Sequence, residues 1–220
     1  MIIFLQNQGE IMGGIFGVIT AVAVVAFGYF LFVKMAKPIY NMNEWTGRLW
    51  QWAEENGIGR RKLPRYEEGL VKLKELDITF HELADIPSEL CNVTSLIKLI
   101  ADENRLATLP KEIANLTNLT TLSLTGNLLT DIPQELFGLV NLQKLSFWDN
   151  KLTVIPSEIS NLTNLKELDL SNNHLSSLPS QITNLKLESF AINGNPNLVL
   201  TKEQKEWAKN IKKFDFDEKI

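Results

Sequence analysis

Cysteine is nearly absent from this chain: Cys91 is the only one in 220 residues. A lone thiol can form no intramolecular disulfide and no paired-cysteine metal site. Histidine is almost as scarce, with only His81 and His174. No phosphate-binding loop, hydrolase elbow or cluster of acid, base and nucleophile occurs, so no enzymatic activity, metal or cofactor is expected. Basic charge is in deficit, the net formal charge being −4. The deficit is uneven. Residues 1–62 carry six Lys/Arg and four Asp/Glu, whereas residues 63–220 carry sixteen and twenty-two. So acidic a C-terminal part argues against nucleic acid as its ligand. Charge of either sign is missing altogether from the 23 positions 11–33, IMGGIFGVITAVAVVAFGYFLFV.

What the chain has in abundance is one repeated phrase. It is clearest at Leu165–Leu185, LKELDLSNNHLSSLPSQITNL, and starts at Leu73, Leu96, Leu119, Leu142 and Leu165, always 23 residues apart. A truncated copy starts at Leu187. A fixed period of this length marks a stacked solenoid. Leu76, Leu99, Leu122, Leu145, Leu168 and Phe190 form one column, and Ile78, Ala101, Leu124, Phe147, Leu170 and Ile192 a second. Both alternate with polar positions, which is the period of a half-buried strand. Asn104, Asn127, Asn150, Asn173 and Asn195 follow, with His81 at the same place in the first copy. An asparagine column fits a turn, because its amide can satisfy backbone groups leaving a strand. Pro87, Pro110, Pro133, Pro156 and Pro179 then open the return segments, where proline forbids a continuing strand. Cys91 and both histidines occupy ordinary repeat positions and read as structural.

These columns resemble those of the leucine-rich repeat family in its 23-residue Leu-Pro subtype. They are similar to bacterial proteins of that family and to the intracellular repeat proteins related to Ras-pathway scaffolds. The resemblance implies an α/β-type solenoid, with short parallel strands on a concave face, loop or 3-10 returns on the convex face, and helical caps. It also implies protein binding.

The uncharged stretch 11–33 reads as a transmembrane helix. At 1.5 Å per residue it reaches about 34 Å, enough to cross a hydrocarbon core of ~30 Å. Lys34, Lys37 and Arg48 follow it and no Lys or Arg precedes it. The positive-inside bias then puts residues 1–10 outside and the repeats in the cytoplasm, in a single-pass protein of the bacterial inner membrane. Gly13, Gly17 and Ala21 recur every four residues, with Gly28 near the same face, so the span carries a surface for helix-mediated homo- or hetero-oligomers.

Residues 34–72 combine a basic juxtamembrane segment with a capping element. Positions 39–56 read as an amphipathic helix capped by Asn41 or Asn43 and stopped by Gly57, with Met42, Trp45, Leu49 and Trp52 on one face. It either covers the end of the solenoid, the reading preferred here, or lies on the membrane. Leu63-Pro64 and Leu70 match repeat columns and form a degenerate half-repeat before the solenoid proper, 73–196. In residues 197–220, KEQKEWAKNIKKF reads as a C-terminal capping helix, with Trp207, Ile211 and Phe214 toward one side and a capping box at Thr201 and Gln204.

The residues between the inward leucines should face out on the concave side. Most are small and polar. The exceptions are Trp148, Ile100 and Phe80, with Asp77, Asp102, Glu103, Asp149 and Asp169 around them. Exposed aromatic residues ringed by polar ones have the composition of a binding hot spot. The partner this face fits is a protein with basic and apolar features. The whole reads as a membrane-anchored docking or scaffold module, in keeping with intracellular signalling. An exported receptor or adhesin is the alternative, as is a non-catalytic subunit of a membrane complex.

Overall fold

The structure, a computed structural model, describes residues 44–216. The 11–33 span, with Gly13, Gly17, Ala21 and Gly28, lies outside the described residues, as do 1–10, 34–43 and 217–220. Among the described residues no helix is long and apolar enough to cross a membrane.

Seven short strands form one parallel sheet in chain order. They are β1 (Glu75–Asp77), β2 (Lys98–Ile100), β3 (Thr121–Ser123), β4 (Lys144–Ser146), β5 (Glu167–Asp169), β6 (Ser189–Ala191) and β7 (Lys213–Asp215). Their register repeats without slippage, Leu76 beside Leu99, Leu99 beside Leu122, and so on to Phe190 beside Phe214. Each strand therefore sends its central residue to the core and its flanking residues outward. The second inward column, Ile78 to Ile192, is buried throughout.

Between strands β1 and β6 the chain returns through five 3-10 helices: η1 (Ser88–Asn92), η2 (Lys111–Asn115), η3 (Gln134–Gly138), η4 (Ser157–Asn161) and η5 (Ser180–Asn184). Pro87, Pro110, Pro133, Pro156 and Pro179 stand immediately before them in extended backbone. Proline ends the extended run and presets φ for the turn that follows. Leu90, Ile113, Leu136, Ile159 and Ile182 on these helices complete the core opposite the strands.

Two ladders of side-chain amides tie neighbouring repeats. In the inner one, the Asn150 amide donates to the carbonyls of Leu124, Phe147 and Trp148, while its oxygen accepts from the Leu129 N–H at 3.0 Å. Asn104, Asn127, Asn173 and Asn195 repeat the arrangement, and the His81 N–H donates to Asn104. The second ladder is less apparent in the sequence. Asn118 donates to Thr94, Asn141 to Thr117 and Asn164 to Val140, at 2.8–2.9 Å, where the chain re-enters each strand. Ser95 fills the equivalent place in the first copy, donating toward Leu70 and Leu73.

The N-terminal helix α1 (Trp45–Glu55) starts at Glu44, in extended backbone, with no side-chain cap bond. Its buried face is rotated from the expected one. Thr46, Gly47, Leu49 and Ala53 are buried, whereas Trp45 and Trp52 are half-buried at its edges. Gly57, at φ 67, ends it. Leu49 and Ala53 join the same core as Leu63 and Leu70, and the half-repeat closes with the short helix α2 (Glu67–Leu70). At the other end, helix α3 (Lys202–Ala208) carries the capping box of Thr201 and Gln204. It stops six residues short of Phe214, contrary to the expectation of a helix reaching that residue. Phe214 lies instead on β7, in the first inward column, stacked on Phe190 with centroids 5.8 Å apart.

Candidate functional site

The outward residues of the seven strands make one continuous face. Trp148 stands on it just beyond β4, 37% exposed in a row otherwise built of Thr79, Asp102, Thr125, Ser171 and Asn193. Ile100 is half-buried on β2. Phe80, just beyond β1, is 76% exposed.

The next row has one backbone conformation in all six repeats. Phe80, Glu103, Gly126, Asp149, Asn172 and Gly194 all have φ between 52° and 67°. The left-handed turn frees the following residue, Asn in five copies, to reach back under the strand. Glycine and asparagine suit that geometry. Phenylalanine does not, and a bulky residue there carries strain of about 1–2 kcal/mol. The same row dictates close approach: a Cβ on Gly126 would come within 2.6 Å of the Glu103 carboxylate.

The carboxylates are not equivalent. The Asp102 carboxylate is engaged by β3, accepting from the Ser123 hydroxyl at 2.6 Å and the Thr125 N–H at 2.9 Å. Thr125 continues to the Ser146 hydroxyl at 2.9 Å, and Ser146 in turn accepts from the Trp148 N–H at 3.3 Å. A chain of small polar side chains thus runs from Asp102 to the foot of Trp148. Asp77 and Asp169 each accept from the backbone two residues on, at Thr79 and Ser171. Hydrogen bonds from Thr79, side chain first and backbone next, hold the Asp77 carboxyl below its ordinary range. Asp149 is exposed, beside Trp148. On the far side of Trp148 the pattern breaks. Ser171 is only 2% exposed and its hydroxyl has no hydrogen-bond partner.

Two sets of residues escaped the sequence reading. The Ser123–Thr125–Ser146 chain occupies positions that look like filler. Arg65, 5% exposed, was hidden among the basic residues near Arg60–Lys62. Its guanidinium donates to the carbonyls of Leu63 and Ile58 and pairs with Glu54.

Among the described residues no group of three or more His, Cys, Asp or Glu could hold a metal ion. Burial pushes the Cys91 thiol up to about 12, so it is not a nucleophile at neutral pH.

A family model described as "Leucine rich repeat" matches residues 117–175 and 140–196. The ectodomain of BIR2 from Arabidopsis thaliana is 31% identical, with 58% of this chain and 68% of that chain covered and a TM-score of 0.50. The chain belongs to the leucine-rich repeat family. A leucine-rich repeat protein of Leptospira interrogans is 32% identical over 66% of this chain and 43% of that one, with a TM-score of 0.55. The ectodomain of the plant membrane receptor kinase GASSHO1/SCHENGEN3 from Arabidopsis thaliana was solved in complex with CASPARIAN STRIP INTEGRITY FACTOR 2. It is 29% identical over 66% of this chain and 22% of that one, with a TM-score of 0.53. The chain spans less than half the length of these last two. No curated protein matches it. As a leucine-rich repeat domain, the described part has the fold of a protein-interaction scaffold.

Proposed function

We propose that this chain is a membrane-tethered docking module whose strand face takes a protein partner with basic and apolar groups. The observation that carries the reading is Phe80. It is 76% exposed and in left-handed backbone, so it costs the fold twice. Its ring is not part of the hydrophobic core. A ring so placed is explained by what it touches outside the molecule. Trp148, Ile100 and the carboxylates of Asp102 and Asp149 complete the surface, with Asp77 and Asp169 in the row of Ile100. The anchoring half of the proposal rests on the uncharged 11–33 stretch and the basic residues after it, which support a single span with the repeats on the cytoplasmic side.

Two substitutions test the face. Trp148→Ala should weaken a captured partner by ~2 kcal/mol, about thirtyfold, with urea unfolding little changed. Phe80→Asn should weaken the same partner while raising stability by up to about 1 kcal/mol, because asparagine accepts the left-handed turn. Unchanged affinity in both variants would sink the docking face.

A second reading is favoured by the likeness to plant receptor ectodomains: the repeats are exported and act as a receptor or adhesin. A reporter fused after Ile220, active on only one side of the membrane, separates the two. Cytoplasmic activity keeps the docking module, and activity only after export replaces it.

A further inference from the structure

The sheet ends at β7, and its outer edge carries a pattern that is complementary to itself. In a parallel sheet, alternate residues direct their N–H and C=O to opposite sides of the strand. The Lys213 N–H donates to Glu188 at 3.2 Å, and the Asp215 carbonyl accepts from the Ile192 N–H at 2.9 Å, so both residues face β6. The N–H and C=O of Phe214 therefore point to the open edge, where the sheet has no further strand among the described residues. Such an edge is a template for another strand.

We propose that a second copy of this chain docks there, its β7 antiparallel to the first, with a two-fold axis through Phe214. Phe214 then lies opposite its own counterpart and exchanges both N–H···O bonds with it, the hydrogen-bonded class of antiparallel pair. The same register sets Lys213 opposite the second copy's Asp215, and Asp215 opposite its Lys213. Opposed residues in an antiparallel pair share a face, so two ion pairs form side by side on the strand face. Asn193 donates to one Asp215 carboxylate oxygen at 3.1 Å and holds that group in place. On the inner face the two Phe214 rings extend the stack that runs from Phe190 to Phe214 and on to Phe216, with centroids 5.8 and 6.0 Å apart.

Head-to-tail stacking is disfavoured. The N-terminal end of the solenoid carries the α1–α2 cap, with α1 packed against η1 and Leu49, Leu63 and Leu70 buried in the common core. The open edge is left to meet its like, and an isologous contact closes at two copies.

The test is charge reversal, read by analytical ultracentrifugation of the full chain in detergent micelles. Concentrations up to about 1 mM are needed, since so small an interface sits at the weak end of the range. The natural chain should dimerise. Lys213→Asp and Asp215→Lys should each weaken self-association roughly tenfold or more, because every reversal acts twice across the axis. An equimolar mixture of the two variants should associate again, since each heterodimer regains both ion pairs. The double exchange K213D/D215K should dimerise like the natural chain and carries the test if a single variant fails to fold. A monomeric natural chain, single variants that associate as strongly as it does, or a mixture that stays apart would each overturn the proposal. Association through the Gly13–Ala21 face would not respond to these charges and counts against it.

Discussion

The two ends of the solenoid meet the same difficulty with different chemistry. A terminal repeat leaves backbone carbonyls that a neighbour would otherwise have satisfied. At the N-terminal end Trp50 donates to the Pro64 carbonyl at 3.0 Å, and the Arg65 guanidinium reaches the carbonyls of Ile58 and Leu63. At the C-terminal end Trp207 donates to the Leu185 carbonyl at 3.0 Å, and the Gln204 amide reaches Leu178 and Pro179. An indole and a planar nitrogen donor serve at both. The difference is charge. Arg65 is buried and must bring its acid, Glu54, at 3.3 Å, whereas the neutral Gln204 is 1% exposed and needs no counter-ion. A charged clamp is the more brittle device, because a buried guanidinium is costly to desolvate and removing it orphans the carbonyls it serves. The N-terminal end also adds a helix, α1, packed against η1, while the C-terminal end adds a strand, β7.

The comparison can be broken at three points. Arg65→Met should cost ~3 kcal/mol in urea unfolding, since two buried carbonyls lose their charged donor. A loss no larger than that of Gln204→Met would refute the claim that the charged clamp is the more costly one to remove. Gln204→Met should cost about 1–2 kcal/mol, from two amide bonds and the reciprocal half of the capping box. The smallest effect sharpens the contrast through pH. Arg48 donates to Glu89 at 2.6 Å, tying α1 to η1, and that bond is the main reason the Glu89 carboxyl lies below its ordinary value of 4.5. A depressed folded pKa stabilises the fold above the unfolded value and is lost as pH falls through the folded one. The natural chain should therefore exceed Glu89→Gln in stability at pH 7 by under about 1 kcal/mol, and the gap should close in acid. A gap unchanged in acid would mean that the bond does not tie the cap.

Much of this fold was legible in the leucine columns, because burial leaves few residue types acceptable and repetition makes each copy corroborate the others. The parts that escaped are those where the copies disagree or stop. The left-handed row is occupied by Phe80, Glu103, Gly126, Asp149, Asn172 and Gly194, too varied to read as one conformation, although three of the six are glycine or asparagine. Strand β7 was missed because Phe214 follows Phe190 by 24 residues, outside the 23-residue beat, and Trp207, Ile211 and Phe214 happen to fit a helical spacing. Arg65 escaped because nothing local marks a guanidinium that turns inward. On the strand face, the positions of Trp148, Ile100 and Phe80 followed from alternation alone. The engagement of Asp102 by Ser123 and Thr125 did not, since it joins residues 21 and 23 positions apart.

A parallel sheet whose register never slips is also a ruler. Phe80 leaves β1 and Trp148 leaves β4, three strand spacings away. At ~4.8 Å per strand the two aromatic residues stand about 14 Å apart along the sheet, a distance set by backbone hydrogen bonds and not by side-chain choice. A partner is thereby asked for two apolar features at that separation. Inserting one whole 23-residue unit between β1 and β4 would lengthen the scale by a single graduation while leaving both marks intact.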